Sequence, residues 1–330
     1  LQQPLAEFKV NVTKSALVIG GGIAGMEAAM ALANQNYPVT LVEKKGALGG
    51  QGRKLLSSWE GQPVAPYLDD LVRRVESHPL VTVRLNSEVK EVSGFVGNFR
   101  TMLDGEGGRY EVNHGVAVVA VGAHSYKPKE HLYGQSDRVF LNLDLDLALR
   151  DGNEMVKQAK SAVFIQCVGS RIPERPYCSK VCCTRSVENA LRLKKMNPDM
   201  DVYILYRDMR TFGMREYLYK EAREKGVIFV RFDVDRQPQT ELIDGKIQVT
   251  VIDHILQRPI VLNPDVLTLA SAIVMEDPEE LAKLFKIPVN PEGFFLEAHV
   301  KLRPVDFATD GVYVAGLAHY PKSTDECIAQ

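Results

Sequence analysis

The sequence has little of what marks several classes of protein. Its 330 residues include 5 cysteines and 1 tryptophan, and 40 Lys and Arg residues face 42 Asp and Glu residues. So few cysteines exclude a disulfide-dense secreted scaffold, and no basic excess indicates a nucleic acid or an anionic membrane as partner. The longest apolar runs have the length of a strand, which is too short to cross a bilayer.

The rest of the composition is that of a folded chain with more than one domain. Hydrophobic residues make up 45% and charged residues 25% of the sequence, which are ordinary values for a globular protein. A chain of this length predicts about two domains. Residues 1–14 lack the apolar segment of a secretory signal, so we expect a cytoplasmic protein.

The first motif is a glycine turn between a predicted strand, SALVIG, and an alanine-rich helix, with VTLVE as the next strand. Gly20, Gly22 and Gly25 give this turn the pattern GxGxxG. Such a turn lets backbone amides approach a pyrophosphate, and an acid at the end of the second strand, here Glu43, accepts hydrogen bonds from ribose hydroxyls. The unit therefore predicts a dinucleotide site.

Two later segments have patterns found beside bound nucleotides. Residues 47–53, ALGGQGR, form a second glycine-dense loop, which predicts either backbone close to a flavin ring or a flexible connector. Residues 115–122, GVAVVAVG, predict a buried strand whose end is close to the ATG motif of two-domain flavoproteins. In those proteins the strand ends beside the dinucleotide.

A second strand–helix–strand unit begins near residue 161. Residues 162–168 predict a strand, residues 184–196 a helix and residues 202–206 another strand. In pyridine-nucleotide flavoproteins this unit carries its own GxGxxG turn, whereas here Gly169 is the only glycine in CVGSRIPERPYCSKVCCTRS. The layout predicts a nicotinamide-dependent enzyme, and the residues argue against it.

Four of the five cysteines lie in this glycine-poor loop with the spacing Cys-x10-Cys-x3-Cys-Cys. Zinc sites usually use two CxxC turns, whereas iron–sulfur clusters accept more varied spacings. The last two cysteines begin the predicted helix, whose N-terminal dipole stabilises thiolates. The spacing favours a [4Fe–4S] cluster, with a zinc site and free or redox-active thiols as alternatives.

Four groups of segments in the sequence are similar to the flavoprotein core of the HdrA family of heterodisulfide reductase subunits. They are ALVIGGGIAG with VEK, CVGSR with PYCSKVCC, ILYRDMRTFGMRE with VIFVRF, and GLAHYPKSTDECIAQ, and the similarity covers nearly all of residues 15–330. The resemblance implies an α/β, thioredoxin-reductase-like flavoprotein fold with two doubly wound dinucleotide-binding-type domains that binds FAD. It also implies that the [4Fe–4S] cluster is ligated by Cys167, Cys178, Cys182 and Cys183.

The implied domains are discontinuous. Residues 1–149 and 276–330 are expected to form the FAD-binding domain, and residues 150–275 an inserted, degenerate nucleotide-binding-like domain that carries the cysteines. The implied function is that of an FAD- and [4Fe–4S]-containing electron-transfer subunit of a heterodisulfide-reductase-like complex. In the best known members, FAD splits electron pairs between high- and low-potential acceptors. The alternative is a stand-alone NAD(P)H-dependent flavin oxidoreductase with structural or zinc-bound cysteines.

The resemblance also implies a flavin site. The sequence holds no catalytic triad and no CxxC motif, so we predict electron transfer without catalytic residues. In the family, the C-terminal tail meets the flavin, and a lysine there, Lys322, would stabilise reduced flavin. Lys322 as a solvated loop residue, His319 as a structural residue and Cys327 as an inert buried thiol are the alternatives. The predicted FAD-binding residues are Gly20, Gly22, Ala24, Gly25, Glu43, Lys44, Gly49, Gly50, Arg53, Val89, Ala120, Gly122, Gly316, His319, Lys322, Ser323 and Thr324.

The partners implied by the resemblance are other iron–sulfur or redox subunits, with neither nucleic acid nor a membrane span. Members tend to dimerise, which leaves a homodimer open here. Cysteine motifs of the further iron–sulfur domains of full-length members are missing, and the sequence ends early in the last helix expected for the FAD domain. We therefore expect a fragment or a short member of the family.

Overall fold

The computed structural model describes residues 10–330, so residues 1–9 of the segment examined for a secretory signal lie outside the described residues. The strands are β1 Ala16–Ile19, β2 Val39–Val42, β3 Val81–Arg84, β4 Glu88–Ser93, β5 Phe99–Gly105, β6 Gly108–His114, β7 Val116–Val119, β8 His124–Ser125, β9 Val139–Leu141, β10 Ser161–Val168, β11 Asp201–Tyr206, β12 Ile228–Arg231, β13 Gln239–Ile243, β14 Lys246–Ile252, β15 Pro259–Leu262, β16 Val266–Ser271, β17 Ile273–Val274 and β18 Val312–Val314. The helices are α1 Ile23–Ala33, α2 Val64–Ser77, α3 Asn142–Arg150, α4 Glu154–Gln158, α5 Cys182–Met196, α6 Glu216–Glu224, α7 Pro278–Phe285 and α8 Thr324–Ala329. Within the described residues, none of these helices is long and apolar enough to cross a membrane.

The first sheet has the parallel order β18-β7-β1-β2-β3. Its central strands are almost wholly apolar because both faces of a parallel sheet are covered. One face packs against α1 and α2 through Val18, Met26 and Leu71. The other packs against the antiparallel sheet β4-β5-β6 and α7, where Leu17 and Phe285 belong to the same buried cluster.

The second sheet repeats this plan with the parallel order β12-β11-β10-β16-β9. On one face, Phe164 and Ile204 pack with Val187 of α5. On the other, Ile165 packs with Val249 of the antiparallel sheet β13-β14-β15. The two parallel sheets agree with the predicted fold class.

The chain leaves the first sheet after β7 and returns to it only with β18. Between them, β8 and β17 form an antiparallel pair at the start and the end of the excursion. The predicted boundary lies at residue 150, yet β9 at Val139–Leu141 pairs with β16 of the second sheet. We propose that the inserted domain begins just after β8 and ends at β17, and that it otherwise follows the predicted division.

Candidate functional site

The glycine turn between β1 and α1 is closely packed at two positions and open at a third. A Cβ on Gly20, whose φ is 112°, would lie 2.2 Å from the carbonyl oxygen of Ala120. A Cβ on Gly25 would lie 1.9 Å from the carbonyl oxygen of Gly20, whereas a Cβ on Gly22 would meet no atom of the described residues within 4 Å. The lack of a side chain at Gly20 and Gly25 therefore lets the strand, the turn and the helix pack closely against one another. The backbone at Gly22 has open space beside it.

The N-terminus of α1 offers free amide groups. Its N-cap residue, Gly22, has no side chain, and the first turn of the helix contains no acidic residue. The first N–H groups of a helix lack intrahelical partners and carry partial positive charge. Because Gly20, Gly22 and Ala24 line the large cavity described below, this end of α1 can hold a phosphate group.

Glu43 lies beside the turn at the end of β2. Its side chain is buried, with Oε2 accepting a 2.7 Å hydrogen bond from the Gly21 N–H and Oε1 accepting a 2.9 Å hydrogen bond from the Lys45 N–H. Each carboxylate oxygen has a second lone pair. The carboxylate is thus fixed by backbone amides and retains the capacity to accept hydrogen bonds from hydroxyl groups.

A cavity of about 1030 Å³ lies between the two parallel sheets and reaches from the glycine turn to α5. Most of the predicted flavin-site residues line it, and five of them do not. The lining ones are Gly20, Gly22, Ala24, Glu43, Lys44, Gly50, Val89, Ala120, Gly122, Lys322, Ser323 and Thr324. The ones outside the lining are Gly25, Gly49, Arg53, Gly316 and His319.

The loop at residues 47–53 packs against the glycine turn. The Gly49 N–H donates a 2.7 Å hydrogen bond to the carbonyl oxygen of Gly21. The guanidinium of Arg53 donates to the carbonyl oxygen of Leu48. These contacts hold the loop so that Gly50 borders the cavity.

The C-terminal tail contributes support as well as lining. A Cβ on Gly316 would lie 2.6 Å from the Cβ of Ala24, so glycine lets the tail pack against α1. His319 Nε2 lies 2.7 Å from Glu297 Oε2, and its Nδ1 lies 3.1 Å from the side-chain nitrogen of Gln330. His319 thus has the structural hydrogen bonds that the sequence left as an alternative.

Lys322 is a buried lysine at the cavity wall rather than a solvated one. Its side chain donates to the side-chain oxygen of Gln330 and lies 4.2 Å from the centroid of the Tyr320 ring. Burial lowers the pKa of Lys322 to about 8. The nearby Cys327 also lines the cavity, and burial raises its pKa to about 11, so its thiol is protonated and weakly nucleophilic at neutral pH.

The four clustered cysteines surround the start of α5, and we call residues 167–183 the cysteine loop. Cys182 and Cys183 are the first two residues of α5, and Cys167 lies near the end of β10 with a φ of 63°. The sulfur of Cys178 accepts a 3.3 Å hydrogen bond from the Lys180 N–H. Helix α5 has no side-chain cap and no acidic residue in its first turn, which favours thiolates there.

The thiols of the loop are close enough to change one another's ionisation. Burial raises the pKa of Cys167, and Cys183 and Cys178 raise it further. The hydrogen bond between Cys182 and Cys183 raises the pKa of Cys182 well above its usual value and lowers that of Cys183. In the described chain, no three Cys, His, Asp or Glu side chains are arranged to hold one metal ion. The thiolates of a [4Fe–4S] cluster bind separate irons.

Two side chains of this region, Gln166 and Arg171, have buried polar atoms without a hydrogen-bond partner among the described residues. Gln166 is 2% exposed, and among the described residues neither its side-chain oxygen nor its nitrogen has a hydrogen-bond partner. The Nη1 atom of Arg171 is also buried without a partner in this part of the chain. Buried polar atoms are nearly always hydrogen-bonded, so these atoms fit a polar group that the chain itself does not supply.

The corresponding turn of the second sheet is filled by protein. Gly169 follows β10 with a φ of 67°, and a Cβ there would lie 2.4 Å from the ring of Tyr126. The Arg175 guanidinium lies 4.2 Å from the centroid of that ring and donates to the carbonyl oxygen of Gly169. Side chains therefore occupy the space beside the glycine through which a dinucleotide phosphate approaches such a turn.

The part of the cavity wall formed by α5 carries buried ionisable side chains that were not among the predicted site residues. Arg185 and Glu188 line the cavity, and Arg185 Nη1 lies 3.3 Å from Asp146 Oδ2 and 3.4 Å from Glu188 Oε2. Arg192 Nη1 lies 3.2 Å from the other oxygen of the fully buried Asp146. Burial raises the pKa of Glu188 to about 7 against the opposing charges of Arg185 and Arg192. The helical spacing of these three α5 residues was the available signal.

Comparisons with known proteins agree with this architecture. Residues 14–165 match the family described as pyridine nucleotide-disulphide oxidoreductase. The thioredoxin reductase of T. acidophilum has a TM-score of 0.68 at 13% identity, over 96% of this chain and 94% of that chain. The thioredoxin reductase of Lactococcus lactis has a TM-score of 0.65 at 18% identity over the same shares. The predicted thioredoxin-reductase-like flavoprotein fold is confirmed.

Curated relatives are similar to this chain over its whole length. One is an iron-sulfur subunit of the HdrA type from the CoB–CoM heterodisulfide reductase of Methanopyrus kandleri, 28% identical over 100% of this chain and 64% of the relative. Another is the HdrA-type subunit of the H(2):CoB-CoM heterodisulfide,ferredoxin reductase of Methanothermobacter marburgensis, 29% identical over the same shares. The chain resembles HdrA over its whole length. The predicted resemblance is confirmed.

The region of similarity covers only part of the length of these HdrA-type relatives. The chain spans about 64% of the length of these two relatives. The alignment with the M. kandleri protein runs over 431 positions, more than the 330 residues of this chain. That relative therefore contains segments inside the matched region that this chain lacks.

Proposed function

We propose that this chain is an FAD- and [4Fe–4S]-containing electron-transfer subunit of a heterodisulfide-reductase-like complex. The observation that carries the proposal is the continuous cavity, which is lined by Gly22 of the glycine turn at one end and by Cys182 of the cysteine loop at the other. Cys182 of the cysteine loop thus faces the same space as the flavin-type site, which suits electron exchange between a flavin and a cluster at that loop. The likeness to HdrA supports this interpretation.

The residues at the first end fit FAD. The bare backbone at Gly22 and the uncapped start of α1 suit the pyrophosphate, and Glu43 suits the ribose hydroxyls. Lys322 brings a buried positive charge to the part of the wall formed by the tail, where it would stabilise reduced isoalloxazine. Bound FAD supplies a carrier that accepts two electrons and can release them singly.

The residues at the other end fit an iron–sulfur cluster. Cys167, Cys178, Cys182 and Cys183 would ligate it, and the mutual effects on their ionisation support their proximity. The start of α5 and the unpartnered Nη1 of Arg171 beside the thiols suit a group with negative charge. The cluster supplies one-electron transfer.

The proposed partners are other iron–sulfur or redox subunits. The relatives are named as parts of reductases that act on the CoB–CoM heterodisulfide, and one name includes ferredoxin. We propose that flavin-based electron bifurcation belongs to the assembled complex, because the chain spans about 64% of those relatives. Size-exclusion chromatography with light scattering distinguishes a homodimer from a monomer.

The test is the cofactor content of protein purified without oxygen. We expect about one FAD and about four irons with four sulfides per chain, and an EPR signal after reduction with dithionite. Replacing Cys178 or Cys182 by serine should remove the iron and leave FAD bound. Cys327→Ser, which removes the thiol outside the cysteine loop, should retain both. A protein that binds FAD but neither iron nor sulfide contradicts the proposal.

The alternative is a self-sufficient NAD(P)H-dependent flavin oxidoreductase. The packing of Tyr126 and Arg175 on Gly169 disfavours it, because it fills the turn that would hold the nucleotide phosphates. Stopped-flow mixing with NADH and with NADPH separates the two functions. We expect slow or no bleaching of the flavin, and rapid bleaching by either nucleotide supports the alternative.

A further inference from the structure

The side chain of Gln330 lies at the centre of a hydrogen-bond network in the C-terminal tail. Its Oε1 atom accepts a 3.0 Å hydrogen bond from the Gly316 N–H and another from Lys322 Nζ. Its Nε2 atom lies 3.1 Å from Nδ1 of His319, whose Nε2 lies 2.7 Å from Glu297 Oε2. One amide therefore connects the glycine that packs against α1, the lysine at the cavity wall and a buried histidine.

The donors in this network fix the orientation of the Gln330 amide. A backbone N–H and a lysine ammonium can only donate, so the atom that faces Gly316 and Lys322 is the amide oxygen. The amide nitrogen then donates to Nδ1 of His319, and the ring proton of His319 lies on Nε2, which donates to Glu297. Burial lowers the pKa of His319, in agreement with a neutral ring. Turning the amide over would place its NH2 group against two donors.

The hydrogen bond to Gln330 limits where the ammonium of Lys322 can lie. Lys322 is 4% exposed and lines the cavity, and its Nζ lies 4.2 Å from the centroid of the Tyr320 ring. A lysine stem is flexible and its ammonium is a compact charge, so the position of the charge depends on the groups that bind it. Gln330 and the Tyr320 ring together hold it at the part of the wall formed by the tail.

We infer that Gln330 is a positioning residue for Lys322, holding its ammonium where it stabilises reduced flavin. The inference rests on the proposed function, because it requires FAD whose ring lies at the tail. It adds no chemical step, since Lys322 acts on the flavin through its charge and Gln330 acts through Lys322. A hydrogen-bond acceptor also favours the charged form of a lysine, so Gln330 should keep Lys322 protonated to higher pH.

The charged and titratable groups around Lys322 come from α8, the cysteine loop, the segment between α7 and β18, and the tail itself. They are Glu326, Cys327, Lys180, Glu297, His319 and Tyr320. Burial lowers the pKa of Lys322 to about 8. Cys327, Glu326 and Glu297 oppose this shift, and Lys180 adds to it. Gln330→Leu keeps all of these groups, so a changed titration of Lys322 in that variant reports the lost hydrogen bond.

The experiment is a potentiometric titration of the FAD-loaded protein from about pH 6 to about pH 9, measured by flavin absorbance. The quantity compared is the Lys322 contribution, defined as the difference in flavin midpoint potential between a protein and the same protein carrying Lys322→Met. At pH 7, Gln330→Leu should reduce the effect of Lys322 on the ratio of reduced to oxidised flavin about threefold, which is about 15 mV for a two-electron couple. The Lys322 contribution should also disappear at a lower pH in Gln330→Leu than in the unsubstituted protein.

Two further variants sharpen the test. Gln330→Glu keeps an acceptor for Lys322 and adds a negative charge, so the Lys322 contribution should persist to higher pH. Gln35→Leu makes the same change of side chain just after α1, where the amide of Gln35 donates a 3.1 Å hydrogen bond to the carbonyl oxygen of Ala31 at an exposed site. This control should leave the Lys322 contribution unchanged.

The outcomes separate this inference from the function on which it rests. Unsubstituted protein that binds no FAD overturns both. FAD-loaded protein overturns the inference alone if its Lys322 contribution is zero, if that contribution is unchanged in Gln330→Leu, or if Gln35→Leu reduces it equally. If Gln330→Leu does not bind FAD, Gln330→Glu decides the question. A Lys322 contribution that persists to higher pH in Gln330→Glu supports the assignment, and an unchanged pH dependence overturns it.

Discussion

The side chain of Lys180, in the cysteine loop, forms an ion pair with the carboxylate of Glu326 in α8. One residue earlier, Asp325 Oδ2 lies 2.9 Å from Nη2 of Arg215, which follows β11. Helix α8 belongs to the tail that lines the cavity, whereas Lys180 and Arg215 lie in the segment between β8 and β17. These ion pairs therefore fix the proposed cluster site against the proposed flavin site.

We predict that Glu326→Gln destabilises the protein at neutral pH. Burial disfavours ionised Glu326, but the hydrogen bonds from Lys180 and Ser323 outweigh it and lower the pKa of Glu326 to about 2. A lowered pKa in the folded state stabilises the fold above the unfolded-state pKa, and this contribution is lost as pH falls towards 2. Because the pair is partly exposed, we expect a loss of about 1 kcal/mol at pH 7.

Urea unfolding at pH 7, 4 and 3 measures this effect. The stability difference between the parent and Glu326→Gln should shrink as the pH falls. Glu224→Gln serves as the control, because Glu224 pairs with Lys220 at 3.9 Å on an exposed helix surface. A difference that stays constant with pH would show that Glu326 acts through packing and not through its charge.

We predict that Gly22→Ala abolishes FAD binding without unfolding the protein. Among residues 10–330 the new methyl group meets no atom within 4 Å, so it enters the space where a pyrophosphate would lie. Gly25→Ala is the contrasting variant, because its methyl group would lie 1.9 Å from the carbonyl oxygen of Gly20 and should lower the melting temperature. Flavin absorbance after loading with FAD, combined with thermal unfolding, tests both. Full FAD occupancy in Gly22→Ala would contradict the site.

Local sequence patterns were sufficient for the glycine turn. The apolar strand, the spacing of Gly20 and Gly25 and the acid at Glu43 are all set within one βαβ unit. The pattern did not reveal β9, because its three residues join the second sheet through β16, which lies far along the chain. Strand pairing over such a distance depends on tertiary packing and leaves no periodic signal in a segment this short.

The same distinction between local patterns and contacts made only in the folded chain applies to the candidate functional site. The sequence singled out the four cysteines as candidate ligands because their spacing is local, and it singled out Lys322 as a candidate through the similarity of the tail; both assignments stay predictions. It did not reveal the charges of Arg185, Glu188 and Asp146, which come from α5 and α3 and meet only in the folded chain. It also did not reveal that Tyr126 fills the turn at Gly169.

We predict that Glu188 makes the stability of the fold fall between about pH 4.5 and pH 7. Burial raises its pKa from 4.5 to about 7, so the folded state holds a proton that the unfolded state has already released in this range. Stability therefore falls as pH rises through this range. A shift of this size corresponds to roughly 3 kcal/mol.

Glu188→Gln removes the titration and tests the prediction. Between pH 5 and pH 8, the unfolding free energy of Glu188→Gln should improve relative to the parent by up to about 3 kcal/mol. Glu224→Gln, on an exposed surface, should run parallel to the parent over this range. If the unfolding free energy of Glu188→Gln also ran parallel to that of the parent, Arg185 and Arg192 would be keeping Glu188 ionised over this whole pH range.

We predict that Lys322→Met lowers the flavin midpoint potential at pH 7. Burial lowers the pKa of Lys322 to about 8, so the side chain is mostly charged at pH 7 and stabilises reduced flavin. A tenfold loss of this stabilisation lowers the midpoint by about 30 mV for a two-electron couple. Above pH 8 Lys322 loses its proton, and the flavin midpoint potentials of the parent and the variant should converge.

Lys44→Met is the control variant. It removes a charge beside Glu43, at the nucleotide end of the same cavity, and should leave the flavin midpoint nearly unchanged. Equal shifts in both variants would mean that the cavity responds to its total charge, whereas a shift confined to Lys322→Met below pH 8 would locate the flavin ring at the tail.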